Sequence, residues 1–180
     1  MNKTIEFTKI RDVKSPSRAN KHDAGIDFYI PELSDSFYNN LLETNKNNNV
    51  SYKIDIDTEG GEMLYMYIAP HSQINIPSGI KVNIIDKNTY LEAQNKSGVA
   101  TKYRLVVGAA VVDADYQGEI HLNLINTSDE EVILFAGQKI VQFIHKEYID
   151  TDLREISNEE YDMIDKSDRG TGGFGSSGKK

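Results

Sequence analysis

Apolar and polar residues alternate with period two through much of this chain, the spacing that turns one face of an extended strand to a core and the other to solvent. Ile5, Phe7 and Ile10 predict a first strand over Thr4 to Ile10, and Asp23 to Ile30 (DAGIDFYI) predicts a second after a polar loop containing Pro16. Further strands are predicted over Gln73 to Ile76, Ile80 to Ile85, Tyr90 to Gln94, Val132 to Phe135 and Ile140 to Ile144. Turn residues separate them at Pro77-Ser78-Gly79 and Asp86-Lys87-Asn88. The stretch Val106 to Ile120 stands out. The apolar run Leu105 to Val112 meets the polar cluster Asp113, Asp115, Tyr116, Gln117 and Gly118, and alternation resumes from Glu119 to Ile125, so a β-hairpin is predicted.

The period changes between Pro31 and Tyr67, which reads as an inserted segment. Leu33, Phe37, Tyr38, Leu41 and Leu42 recur at helical spacing, predicting a short amphipathic helix over Glu32 to Thr44. A polar loop, Asn45 to Asn49, leads to a second hairpin, with Tyr52, Ile54 and Ile56 on one strand, Met63 to Ile68 on the other, and Gly60-Gly61 as its turn. Residues 150–168 form an acidic linker with a short helix near Asn158 to Ile164, and residues 169–180 are a Gly-rich tail. The expected organisation is a β domain over 1–149 carrying the 31–67 insertion, then linker and tail.

Composition narrows the class. The chain has 180 residues, 38% of them hydrophobic, enough for one core. It has neither an apolar run of membrane-spanning length nor a basic-then-apolar leader, so a soluble cytoplasmic protein is expected, in the host cytoplasm if a phage or virus encodes it. The absence of Cys excludes disulfides and thiolate chemistry. A net charge of −8 argues against a sequence-independent grip on nucleic acid. His22, His71, His121 and His145 are scattered without metal-ligand spacing.

Five places carry candidate chemistry. Asp27 sits among apolar neighbours, where a carboxylate needs a partner, and backbone amides are expected to satisfy it. Lys96, Ser97 and Gly98 leave a strand for a helix-compatible turn whose N–H groups could face an anion. Gly108, lacking a Cβ, would let a planar ligand approach the backbone, with Asp113 beside the same opening. Gln142 interrupts an apolar run, either pairing with backbone or facing a site. In the tail, Gly170, Gly172 and Gly175 satisfy GxGxxG without the flanking strand and helix of a dinucleotide fold, and Gly173 to Lys179 satisfies GxxxxGK with Lys180 in the Ser/Thr position. Arg169, Ser176, Ser177 and Phe174 instead suit a clamp for phosphate and a flat base.

Taken in order, AGIDF (24–28), KSGVA (96–100), VGAAVVDADYQGEI (107–120), GQKIVQ (137–142) and RGTGGFGSSG (169–178) resemble the five motifs of the trimeric dUTPase family. The resemblance implies an all-β, jelly-roll-like barrel assembled as a homotrimer, with dUTP as substrate and active sites built from all three subunits. It implies that Asp113 activates water, Gly108 and Val112 belong to the uracil pocket, and Tyr116 lies against the deoxyribose. Lys96, Ser97, Gly98 and Gln142 would contact phosphates; Arg169, Gly175, Ser176 and Ser177 would clamp them, and Phe174 would cover uracil. Mg²⁺ would be held mainly by substrate phosphates and water, with Asp27 in the shell beyond. Lys96 and Lys139 stand where the family usually has Arg, exchanging a planar fork for a point charge.

The implied activity is hydrolysis of dUTP to dUMP and pyrophosphate by attack on the α-phosphorus, limiting uracil incorporation into DNA and supplying dUMP. Two alternatives stand beside it. dCTP deaminase shares the fold but needs a deaminating acid/base pair, which the sequence from Lys96 to Tyr116 does not follow. A dUTP-binding regulatory protein would use the insertion as its contact to a protein partner.

Overall fold

The computed structural model describes residues 3–48, 50–56, 62–168 and 170–172. Its strands are β1 (Ile5–Lys9), β2 (Ile26–Tyr29), β3 (Val50–Ile56), β4 (Glu62–Ile68), β5 (Gln73–Pro77), β6 (Ile80–Ile84), β7 (Thr89–Asn95), β8 (Leu105–Val107), β9 (Val111–Val112), β10 (His121–Asn126), β11 (Val132–Phe135) and β12 (Lys139–Glu147). The helices are α1 (Asp35–Thr44), α2 (Ser97–Tyr103) and α3 (Asn158–Asp162). This is the all-β architecture expected, with few helices. Among the described residues no helix is long and apolar enough to cross a membrane.

All strand pairs are antiparallel, in the orders β1-β6, β5-β10-β8, β11-β4-β3 and β2-β12-β7-β9. Alternation decides which side chains enter the core. In β10, Leu122 and Leu124 are buried while Asn123 and Ile125 point the other way, and β5 matches with Ile74 and Ile76. Phe28 and Phe143 meet at 4.6 Å between ring centroids, locking β2 to β12.

The hairpin predicted around Val106 to Ile120 forms only in part. Val106 and Val107 pair with Ile125 and Leu124 as expected. Beyond Gly108 the chain leaves that sheet, and Val111 and Val112 pair instead with Glu92 and Leu91 of β7. The apolar run is therefore split between two sheets. A continuous run of Val and Ala carries no signal for such a break, because both halves have a buried neighbour to reach.

The segment 31–67 is built into the same core as the rest. Helix α1 starts later than its apolar spacing predicts, at Asp35, because Ser34 caps it and accepts the Phe37 amide at 3.3 Å. Phe37, Tyr38 and Leu41 are at most 3% exposed and join the main cluster. Burying each side chain of that size stabilises the fold by roughly 1.5–3 kcal/mol. Asn45, assigned by polarity to a loop, is buried: its Nδ2 donates to the Leu41 and Asn75 carbonyls, and its Oδ1 accepts the Asn75 amide at 2.7 Å. It fastens the end of α1 to β5. Strand β4 pairs with β3 on one side and β11 on the other, so the second hairpin is part of a three-stranded sheet. Its Gly60-Gly61 turn lies outside the described residues.

The chain divides into two compact units after Ile149. In the second, α3 is shorter than its apolar spacing suggests but is closed by a full capping box between Ser157 and Glu160. Leu153 and Met163 there are 96% and 83% exposed, so the unit has no core of its own.

Candidate functional site

Asp27 is buried at the middle of β2, opposite Gln142 of β12. Its partners are not the backbone amides expected. The carboxylate ion-pairs with Lys96, the residue that ends β7 and caps α2, and with Lys139 at the start of β12, at 3.1 Å. Burying a carboxylate is expensive unless opposite charge accompanies it, and two ammonium groups supply that charge here. Lys139 responds: its hydrogen bond to Asp27 holds its ammonium above the ordinary lysine range. Two lysines against one carboxylate leave one net positive charge at this point. A compact ammonium suits such sharing, which is a reason for Lys where a planar guanidinium would need a two-oxygen face of its own.

Gln142 does both things that its position in an apolar run allowed. Its Nε2 donates to the Asn95 carbonyl at 2.9 Å, and its side chain lines a depression of about 330 Å³ with Gly25, Asp27, Lys96 and Lys139. Gly25 is a glycine because a Cβ there would overlap the Gln142 carboxamide. Next to the depression, Ser97 and Gly98 open α2 and are exposed. The structure thus gathers Gly25, Asp27, Lys96, Lys139 and Gln142 from three separated stretches of sequence around one opening.

Asp113 and Tyr116 lie elsewhere. Asp113 follows β9, where its exposed carboxylate has no hydrogen-bond or ion-pair partner among the described residues. Val112 faces Leu91 near the start of β7, whereas Lys96 follows the end of that strand. Five residues of extended chain between Tyr90 and Asn95 span roughly 16 Å. Within one chain, the carboxylate and the lysines therefore sit at opposite ends of β7. The Tyr116 amide donates to the Asp113 carbonyl at 3.1 Å, and the Tyr116 hydroxyl donates to the Glu119 carbonyl at 2.9 Å. Its ring lies over Gly118, where a Cβ would come within 2.5 Å of Cζ.

The loop between these strands is held by two carboxamides that the sequence reading passed over. Asn95 Oδ1 accepts the Val107 amide at 2.7 Å, and Asn123 Oδ1 accepts the Ala109 amide at 3.0 Å. The space above Gly108 that was expected to admit a planar ligand is taken by the Asn123 side chain. Asn123 was hidden by its regular place in the alternation of β10. Only the preference for a polar residue beside a glycine across a strand pair could have pointed to it.

Arg169, Phe174, Gly175, Ser176 and Ser177 lie outside the described residues. Among the described residues, no group of three or more His, Cys, Asp and Glu could hold a metal ion.

With this arrangement in view, the family model described as dUTPase matches residues 63–178. The chain belongs to the dUTPase family. It is 38% identical over 112 residues to the deoxyuridine 5'-triphosphate nucleotidohydrolase of Candida albicans, covering 62% of this chain and 68% of that protein. With the Arabidopsis thaliana enzyme of the same name it shares 36% over 103 residues, 57% of this chain and 58% of that one. Among solved structures, the Staphylococcus bacteriophage 80alpha dUTPase with dUpNHpp superposes with a TM-score of 0.68 at 19% identity, over 97% of this chain and 98% of that one. The Streptococcus mutans dUTPase gives 0.57 at 22% identity, over 81% and 98%. At such identities the likeness speaks to the dUTPase fold. The AGIDF segment precedes the matched range, so its place beside the other dUTPase motifs rests on the contacts of Asp27 and Gly25.

Proposed function

We propose that this chain is a cytoplasmic dUTP diphosphatase, hydrolysing dUTP to dUMP and pyrophosphate in a homotrimer whose sites are shared between subunits. The separation of Asp113 from Lys96 and Gln142 along β7 carries the reading. One chain offers a water-activating carboxylate and a cationic depression too far apart to act on a single triphosphate, and a neighbouring copy can bring the second half to the first.

Asp113 is assigned to orient a water and accept its proton as the water oxygen bonds to the α-phosphorus. The bond from that phosphorus to the bridging oxygen breaks, and pyrophosphate leaves. Lys96, Ser97, Gly98 and Gln142 bind the phosphates, with Arg169, Gly175, Ser176 and Ser177 closing over them and Phe174 covering the base. Arrival of phosphate would draw Lys96 and Lys139 from Asp27 toward a second anion. The remaining charge would be spread by Mg²⁺ held on the phosphates. Asp27 is a poor candidate for the shell of that ion, because both its oxygens already face ammonium groups.

Base selection follows from the loop. The amides of Gly108 and Ala109 are taken by Asn123, and the Ala110 carbonyl by the Ala93 amide. The carbonyls of Gly108 and Ala109 and the Ala110 amide remain, an acceptor and donor set matching uracil N3–H and O4. Cytosine reverses both, at about 1–3 kcal/mol for each buried group left unpaired. Tyr116, lying against the sugar, is assigned to the exclusion of a 2′-hydroxyl.

The test is pyrophosphate release from dUTP, dTTP, dCTP and UTP, with and without Mg²⁺. Strong preference for dUTP is expected. Ammonia release from dCTP would point to the deaminase instead, and absence of turnover with every nucleotide would defeat the reading.

A further inference from the structure

Glu119 ends the turn that carries Asp113 and Tyr116, and its side chain turns away from that turn into the body of the molecule. One oxygen accepts Arg11 Nε at 2.7 Å and the Gly79 amide at 2.6 Å, while the other accepts Arg11 Nη2 at 2.9 Å. Both partners are well covered, at 20% and 12% side-chain exposure. Burial alone would raise the Glu119 carboxyl, but Arg11 and the Gly79 amide outweigh it and hold it below the ordinary range. Gly79 has φ +73, and a Cβ there would lie 2.9 Å from Arg11 Cβ, so the Arg11 stem crosses a position that only glycine leaves open.

We propose that Arg11 and Glu119 are positioning residues for Tyr116, and that helix α1 holds the pair in place. This rests on the reading of Tyr116 as the group that meets the sugar. The Tyr116 hydroxyl is oriented by the Glu119 main-chain carbonyl, which His121 Nδ1 also meets at 2.9 Å. That carbonyl is fixed because the side chain of the same residue is anchored by three charge-assisted bonds. Arg11 is in turn steadied from α1, where its Nη2 donates to Asn40 Oδ1 at 3.4 Å and its guanidinium lies 5.8 Å from the centre of the Phe37 ring. Arg11, Asn40 and Phe37 all precede the range matched by the family model. A part of the chain outside that common range thus sets the tilt of a residue inside it, and displacing a positioned group by about 1 Å can change turnover by up to a hundredfold.

The experiment compares kcat/KM for dUTP and for UTP in the wild type and in Arg11→Met, Arg11→Lys, Glu119→Gln and Asn40→Ala. A loss of folded protein lowers both substrates equally and leaves their ratio untouched, so the ratio reads positioning alone. Arg11→Met is expected to raise the UTP to dUTP ratio on the order of tenfold, mostly through KM, with partial recovery in Arg11→Lys. Should Arg11→Met fail to fold, Glu119→Gln and Asn40→Ala are each expected to move the ratio about twofold or more. A ratio that stays at the wild-type value in every folded variant overturns the proposal. A wild type that does not act on dUTP overturns both this and the proposed function.

Discussion

The carboxamide of Asn123 stands where Gly108 would carry a side chain, with Cγ at 3.2 Å from that point. The two residues are a fitted pair across β8 and β10. Gly108→Ala should therefore destabilise the fold by about 1–3 kcal/mol, the usual scale of overpacking. In an Asn123→Ala background the same substitution should cost much less. A double-mutant cycle by urea denaturation measures the coupling, and additive effects would show that the two do not share the space.

Asp113→Asn should reduce kcat for dUTP by about a hundredfold or more while substrate affinity is retained, since the amide keeps the shape but cannot take a proton. Single-turnover kinetics alongside equilibrium binding separates the two quantities. Near-normal turnover would remove Asp113 from the role of base.

Asp27→Asn should leave Lys96 and Lys139 facing each other without their shared counter-charge. Breaking a fully buried pair costs about 3–5 kcal/mol, but Lys139 is half exposed, so a loss of about 1–3 kcal/mol is expected. Denaturation at low and high salt reads this, and salt should narrow the gap by screening the repulsion. Equal stability of the two proteins at low salt would contradict it.

His145 gives a pH dependence. Burial lowers its pKa below the ordinary histidine value, and its Nε2 meets Thr89 Oγ1 at 2.7 Å. The folded state therefore binds a proton less readily than the unfolded chain. Stability from this group is complete above about pH 6.5 and is lost as the pH falls through the lowered folded value. His145→Gln, compared with wild type by thermal melting between about pH 7.5 and pH 5, should flatten that part of the profile. Identical slopes would show that His145 is not the source.

Strands and turns were legible where a single rule governs them. Alternation identified β10, β11 and β12, and Pro77-Ser78-Gly79 marked the turn with its positive φ. The family motifs were legible because each is a short run with its own chemistry. What could not be read was pairing across distance. Nothing local to Asp27 reveals two lysines from β12 and the end of β7, and nothing in Leu105 to Val112 shows where the chain changes sheets. Asn45 and Asn123 were passed over for the same reason: a polar residue looks like loop or strand surface until the backbone it serves is known.

Helix α1 has a practical consequence for anyone who would trim this protein to a smaller form. With Phe37, Tyr38 and Leu41 in the common core and Asn45 stitched to β5, excising residues 31–67 would open a cavity and strip β11 of its neighbour. Heating or denaturant should accordingly melt this segment together with the strands it covers, in one cooperative transition. A shortened variant that lost activity would report on folding before it reported on any role of the segment itself.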